Sequence, residues 1–124
     1  MKISVVIPVH NRAELLNRAL CSVRKQTTQA NEVLVVDDGS SSSPDLSDFH
    51  EHLDIHCLRS DKNLGVSAAR NWGIQQARCE WIALLDSDDE WEPKKLEKQI
   101  QYIEQNPELL VVHTLEKWIR RGNE

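Results

Sequence analysis

The sequence predicts an α/β domain of three layers, α/β/α, built on a mostly parallel sheet. Two observations carry that prediction. Short β-branched runs alternate with longer stretches of helical period, and those runs are apolar at consecutive positions rather than at every second one. A strand apolar on both faces must be covered on both faces, which helices on either side of a parallel sheet achieve. With 124 residues, 40% of them hydrophobic, the chain has room and apolar content for one such domain.

Each element follows in order. Ile3-Ser4-Val5-Val6-Ile7 reads as a buried strand ended by Pro8, which has no N–H for a ladder. Asn11-Arg12-Ala13-Glu14 sets a capping residue three positions before a Glu, as in a capping box. The helix it opens has Leu15, Leu16, Ala19, Leu20 and Val23 on one face. Glu32 to Val36 predicts a second strand, closed by the turn Asp37-Asp38-Gly39-Ser40. Ser40 to Ser43 is loop, and Pro44 to about His52 predicts a short helix. Ile55 to Leu58 is a third, weaker strand. Asn63-Leu64-Gly65 turns into a helix with Val66, Ala69, Gly73, Ile74 and Ala77 on one side. Trp81 to Leu85 is the fourth strand, apolar throughout. Pro93 suits the first turn of a helix striped by Leu96, Ile100 and Ile103, and Leu109 to Val112 predicts a fifth strand.

Composition narrows the function. Fifteen Lys and Arg against 20 Asp and Glu leave a net charge of -5, the wrong sign for a nucleic-acid binder. No apolar run approaches the roughly 18 residues that cross a bilayer, and the N-terminus lacks signal-peptide order. The expectation is a soluble, cytoplasmic chain with no membrane segment. Cys21, Cys57 and Cys79 are far apart and odd in number, so they read as free thiols. Neither a Gly-x-Ser-x-Gly elbow nor a phosphate-binding Gly-Lys-Ser/Thr loop is present.

In a parallel sheet, ligands bind beyond the carboxyl ends of the strands. That rule selects Pro8 to Arg12, Asp37 to Ser40 and Asp86 to Glu90. The last segment, Asp86-Ser87-Asp88-Asp89-Glu90, packs four carboxylates into five residues after an apolar strand. A divalent cation would relieve their repulsion, and hard oxygen donors suit Mg²⁺ or Mn²⁺. In an extended segment Asp86 and Asp88 point the same way and Ser87 the other. The same run also reads as a solvated acidic turn, with Glu90 and Glu92 complementing the next helix. Asp37 and Asp38 offer acceptors to a ribose hydroxyl or a base N–H, or form an ordinary Asp-Gly turn. Arg12 and Arg70 offer charge-assisted donors to phosphate, or are solvated helix residues. Lys94, Lys95 and Lys98 read as a solvated face. His10 could stack on a base, whereas His50, His52 and His56 read as surface and His113 as structural. Trp81 reads as core and Trp91 as a pocket wall.

Taken together, these segments resemble the family 2 glycosyltransferases of the GT-A fold. The matching pieces are Ser4-Val5-Val6-Ile7-Pro8-Val9-His10-Asn11-Arg12, Val35-Val36-Asp37-Asp38-Gly39-Ser40 and Asn63-Leu64-Gly65-Val66-Ser67-Ala68-Ala69-Arg70-Asn71. The fourth is Trp81-Ile82-Ala83-Leu84-Leu85-Asp86-Ser87-Asp88-Asp89-Glu90-Trp91. The resemblance implies a nucleotide-diphospho-sugar donor, often a UDP-sugar, bound with Mg²⁺ or Mn²⁺ and used in an inverting transfer. It assigns Pro8, Val9, His10, Arg12, Asp37 and Asp38 to the nucleoside and Arg70 to the nucleotide. The Asp-x-Asp motif falls on Asp86, Ser87 and Asp88, with Asp86 and Asp88 on ribose and the metal-bridged diphosphate. His10 departs from the Tyr or Phe the family often has there.

Members of that family are typically longer, and their second half brings the acceptor site and the catalytic carboxylate. The expectation is therefore that residues 1–113 are the nucleotide-sugar-binding part and 114–124 the start of an acceptor-side half, cut short. The base is expected beyond residue 124, since Glu104, Glu108, Glu116 and Glu124 read as solvated surface. The alternative is a stand-alone nucleotide-binding or regulatory module without transfer. An Asp-x-Asp phosphatase would need its nucleophilic Asp after the first strand, where this chain has Pro8 and His10.

Overall fold

The computed structural model describes residues 1–108. The expected strand at 109–112, His113 and the segment 114–124 lie outside the described residues. Four parallel strands form one sheet: β1 (Ile3–Val9), β2 (Glu32–Asp38), β3 (Ile55–Ser60) and β4 (Trp81–Leu84). Their order is β3-β2-β1-β4. Helices α1 (Ala13–Arg24), α2 (Val66–Gln76) and α3 (Lys95–Gln105) complete the described fold.

The consecutive apolar runs are explained by two separate cores. Ile3, Val5, Ile7 and Val9 face one side with Val33, Val35 and Ile55, under Leu16, Leu20 and Val23 of α1 and Leu96 of α3. Val6, Leu34 and Val36 face the other side, against Ala69 of α2. The sheet is thus sandwiched between helices, as the sequence predicts.

Several local expectations change. The capping box at Asn11 does not form: Arg12 holds the cap position without a side-chain bond, and Asn11 is left-handed, with φ 53°. Between Pro44 and His52 only a single 3-10 turn, Ser47–Phe49, is present, anchored by buried Leu46 and Phe49. Pro93 lies just outside α3, whose first turn starts at Lys95. The side chain of Gln26 serves as the missing cap: buried in the core, it accepts from Leu96 N–H at 3.0 Å and donates to Glu92 O at 2.7 Å. That cap comes from a residue 70 positions away, so no local pattern announces it.

Helix α2 uses a narrower face than its apolar positions suggest. Only Ala69 and Gly73 are buried, while Val66 and Ile74 are 50% and 41% exposed. The small residues let the helix backbone approach the sheet closely, and the larger ones fall to the sides. A Cβ on Gly73 would overlap Val6 Cγ1 and lie 3.0 Å from Val36 Cγ2. Both valines are fully buried, so neither can give way. Gly73→Ala is expected to lower stability by about 1–2 kcal/mol despite alanine's better helix propensity. A denaturation midpoint that falls at unchanged slope checks it. Strand β4 is half-buried rather than fully covered, with Leu84 49% exposed, because it forms an edge of the described sheet.

Candidate functional site

The strand order decides which loops meet. Strand β1 lies between β2 and β4, and the chain leaves it toward both sides. This reversal is the switch point at which open α/β sheets bind ligands. The loop after β1 consequently touches the acidic turn after β2 on one side and the acidic turn after β4 on the other.

On the β2 side, His10 Nδ1 lies 2.9 Å from Asp38 O, and Asn11 N–H donates to Ser40 Oγ at 2.8 Å. Asp38 is buried, and its two oxygens accept from the N–H groups of Leu64 and Gly65 at 2.8 and 2.9 Å. It therefore holds the loop that opens α2. Gly39, at φ 76°, makes that crossing possible: a Cβ there would stand 2.7 Å from both Asn63 N and Lys62 C. Asp37 is fully buried. Its Oδ1 accepts from Ser40 N–H at 3.1 Å, whereas Oδ2 has no hydrogen-bond partner. Arg59 Nε stands 3.4 Å from that oxygen, and the same guanidinium donates to Ser43 Oγ and to Ser40 O.

On the β4 side, Leu85 N–H still bonds to Val6 O at 3.1 Å, and the chain then turns. Asp89 N–H closes the turn on Asp86 O at 3.0 Å. The segment is a turn rather than the extended stretch its alternation suggests. Ser87 points inward and is buried. Asp86, Asp88 and Asp89 bring one carboxylate oxygen each within 4.8 Å of one another. Two arginines reach this cluster: Arg70 Nη2 donates to Asp86 Oδ1 at 2.6 Å and Arg12 Nη1 to Asp88 Oδ2 at 3.5 Å. Arg70 Nε is buried without a hydrogen-bond partner.

Of the residues singled out in the sequence, His10, Arg12, Arg70, Asp86 and Asp88 thus converge across the ends of β1 and β4. Asp37 and Asp38 flank them at the end of β2. Pro8 is buried, and Val9 sends its side chain into the main core, which leaves its backbone at the site. Arg59 joins the site without having been singled out, whereas Asn11 and Asp89 lie in the selected segments but had no ligand role of their own there. Arg59 ends a strand whose burial is patchy, so its charge reads as ordinary solvent exposure until the β2–β3 register sets it beside Asp37. Trp91 packs on the main core instead of lining a pocket, and Lys95 Nζ lies 5.8 Å from its ring centroid, unlike exposed Lys94 and Lys98. Trp81 is half-buried against the same core. His50, His52 and His56 are exposed as expected, and Cys21, Cys57 and Cys79 are free thiols.

Two open depressions of about 480 and 530 Å³ lie elsewhere, around His50, Ile55 and His56. Neither gathers the carboxylates and guanidiniums that meet at the strand ends, and chemistry rather than concavity assigns the site. Its donor set fits a hard divalent cation: carboxylate oxygens only, three of them close together, with no thiol or imidazole among them. No described helix is long and apolar enough to cross a membrane.

Comparison with known proteins bears on the same residues. Residues 4–123 match glycosyl transferase family 2. An uncharacterised glycosyltransferase of Rickettsia conorii is 41% identical over 112 residues, covering 85% of this chain and 18% of the relative. One from Haemophilus influenzae is 32% identical over 111 residues, covering 90% of this chain and 37% of the relative. The chain thus spans well under half the length of these relatives. Among solved structures, S. aureus TarS superposes with a TM-score of 0.77 at 28% identity, over 86% of this chain and 20% of TarS. TarS 1-349 in complex with UDP gives 0.75 at 28% identity, over 85% of this chain and 32% of that one, and TarS 1-349 has also been solved with UDP-GlcNAc.

Proposed function

The chain belongs to glycosyl transferase family 2, and from that premise we propose that it is the donor-binding part of a sugar transferase. The donor is a nucleotide-diphospho-sugar, of the UDP class. The observation that carries the reading is the meeting of Arg12–Asp88 and Arg70–Asp86 at the switch point. Such a pairing offers both charges that a metal-bound diphosphate needs. The complexes of TarS with UDP and UDP-GlcNAc support the choice of nucleotide.

Each residue then has a part. Asp86 and Asp88, with Asp89 beside them, would hold Mg²⁺ or Mn²⁺. Such an ion supplies charge neutralisation to a departing diphosphate. Arg12 and Arg70 offset part of the charge of the acidic turn and carry the donors that phosphate oxygens accept from. Asp37 stands on the nucleoside side of the donor, its buried Oδ2 already facing Arg59 Nε at 3.4 Å. Asp38 keeps the α2 loop in place beneath it. The base that deprotonates the acceptor hydroxyl, in an inverting transfer, belongs to the part of the relatives that this chain does not match. Residues 1–113 therefore bind donor, and catalysis requires the acceptor side.

Calorimetry of UDP with the chain tests the reading. Binding is expected to tighten at least tenfold when Mn²⁺ is added, and UDP-sugars are expected to compete. Absence of UDP binding with and without Mn²⁺ would sink it.

A further inference from the structure

The loop between β1 and α1 contains a bond chain whose direction can be read throughout. Ser41 N–H can only donate, and it points to the Asn11 side-chain oxygen at 2.9 Å. That contact fixes the orientation of the Asn11 amide. Its nitrogen therefore lies on the other side, 3.3 Å from His10 Nε2. An amide NH₂ only donates, so Nε2 must accept and carries no proton. At the opposite ring edge, His10 Nδ1 lies 2.9 Å from Asp38 O. A carbonyl only accepts, so Nδ1 must carry the proton. These two contacts select the Nδ1–H tautomer, the less favoured one for a free imidazole.

We propose that Asn11 is a positioning residue for the nucleoside, acting through this lock on His10. Both ring nitrogens are occupied within the protein, so His10 has no polar group left for a ligand. What remains is the face of the aromatic ring, fixed at the seam between the first loop and the Asp38 turn. The ligand it suits is a nucleobase, which stacks on an aromatic face without need of a polar contact. This part of the inference rests on the nucleotide-binding reading above. The backbone of Asn11 agrees with such a role. It sits at φ 53°, a conformation that Asn tolerates better than most residues, and its own N–H bonds to Ser40 Oγ at 2.8 Å. Main chain and side chain of one residue thus tie the first loop to Ser40 and Ser41.

Long-range ¹H–¹⁵N spectra of the imidazoles, together with UDP calorimetry, test the proposal on the full chain. Wild type is expected to show His10 as the Nδ1–H tautomer. Asn11→Gly keeps the left-handed backbone but removes the amide. It is expected to shift His10 toward the Nε2–H tautomer and to weaken UDP about tenfold, with the melting temperature little changed. Asn11→Asp retains the acceptor for Ser41 N–H but turns an acceptor toward Nε2. It is expected to draw a second proton onto the ring, seen as the imidazolium ¹⁵N pattern. An Nε2–H tautomer in wild type, or a tautomer and UDP affinity both untouched in Asn11→Gly, would overturn the lock. The Nδ1–H tautomer in a wild-type chain that binds no UDP would overturn the nucleoside role and leave the lock standing.

Discussion

Asp88→Ala is expected to abolish the tightening of UDP binding by Mn²⁺, a loss of at least tenfold, or about 1.4 kcal/mol. The reason is electrostatic. Asp86, Asp88 and Asp89 hold three carboxylate oxygens within 4.8 Å, a concentration of negative charge that two arginines offset only from its edges. A diphosphate adds further negative charge to that place and is repelled unless a cation lies between. Removing Asp88 takes one ligand from the cation and frees Arg12, which pairs with this carboxylate at 3.5 Å. UDP affinity without metal is therefore expected to stay level or rise slightly. Glu90→Ala is the matched control. It removes the same charge two residues later, from an exposed pair with Arg18 at 3.0 Å outside the carboxylate cluster, and should leave the Mn²⁺ gain intact. A gain that survives in Asp88→Ala, or disappears equally in Glu90→Ala, contradicts the assignment of the metal to this turn.

The second large effect lies at the opposite end of the sheet. Glu32 begins β2 and is 2% exposed. Its carboxylate accepts from Ser4 Oγ at 2.8 Å, Arg78 N–H at 3.0 Å and Arg78 Nε at 2.5 Å. Ser4 Oγ in turn accepts from Cys79 N–H at 3.2 Å, and Arg78 continues to Asp54 at 2.9 Å. One side chain thus joins β1, β2, the start of β3 and the connection from α2 to β4. Glu32→Ala leaves several of these donors without a partner. A loss of about 2–4 kcal/mol follows, seen as a melting temperature lower by roughly 10 °C. UDP affinity of the folded protein is expected to hold, since this network sits at the amino ends of the strands and the proposed nucleotide site at the carboxyl ends.

The same residue gives stability a pH dependence. Burial alone would raise the Glu32 pKa. Hydrogen bonds from the Arg78 backbone and side chain and from Ser4, with the Arg78 charge, outweigh it and hold the group below 4.5. A carboxyl depressed in the folded state contributes its stability above the unfolded value and loses it as pH falls through the folded one. The acid limb below about pH 4.5 is therefore expected to be shallower in Glu32→Gln than in wild type. Identical limbs would show that other carboxylates dominate acid unfolding.

Glu32 also shows where a sequence stops being readable. As the first residue of a predicted strand it looks like a polar strand end, and nothing near it names Arg78, 46 positions away. Asp37 and Asp38 are alike in sequence, yet one faces the Arg59 guanidinium and the other grips two backbone N–H groups. Val66 and Ile74 share the apolar pattern of α2 but lie outside its contact, because Gly73 and Ala69 set how closely the helix approaches. Asn11 has the spacing of a capping box, but its carboxamide is better used across the loop on Ser41. In each case the local pattern was compatible with two partners, and packing chose between them.

Burial of an element is a local property: consecutive apolar residues, turn residues and helical period depend on neighbours along the chain. Hence the sequence by itself determined the four strands, the three helices, the α/β/α layering, both acidic turns and the likeness to glycosyl transferase family 2. Pairing is a long-range property. Arg12 meets Asp88 across 76 positions and Arg70 meets Asp86 because β4 pairs beside β1, and Arg59 meets Asp37 because β3 pairs beside β2. Hydrophobic period carries no term for strand order, so the partners that define the site were decided by the tertiary structure alone.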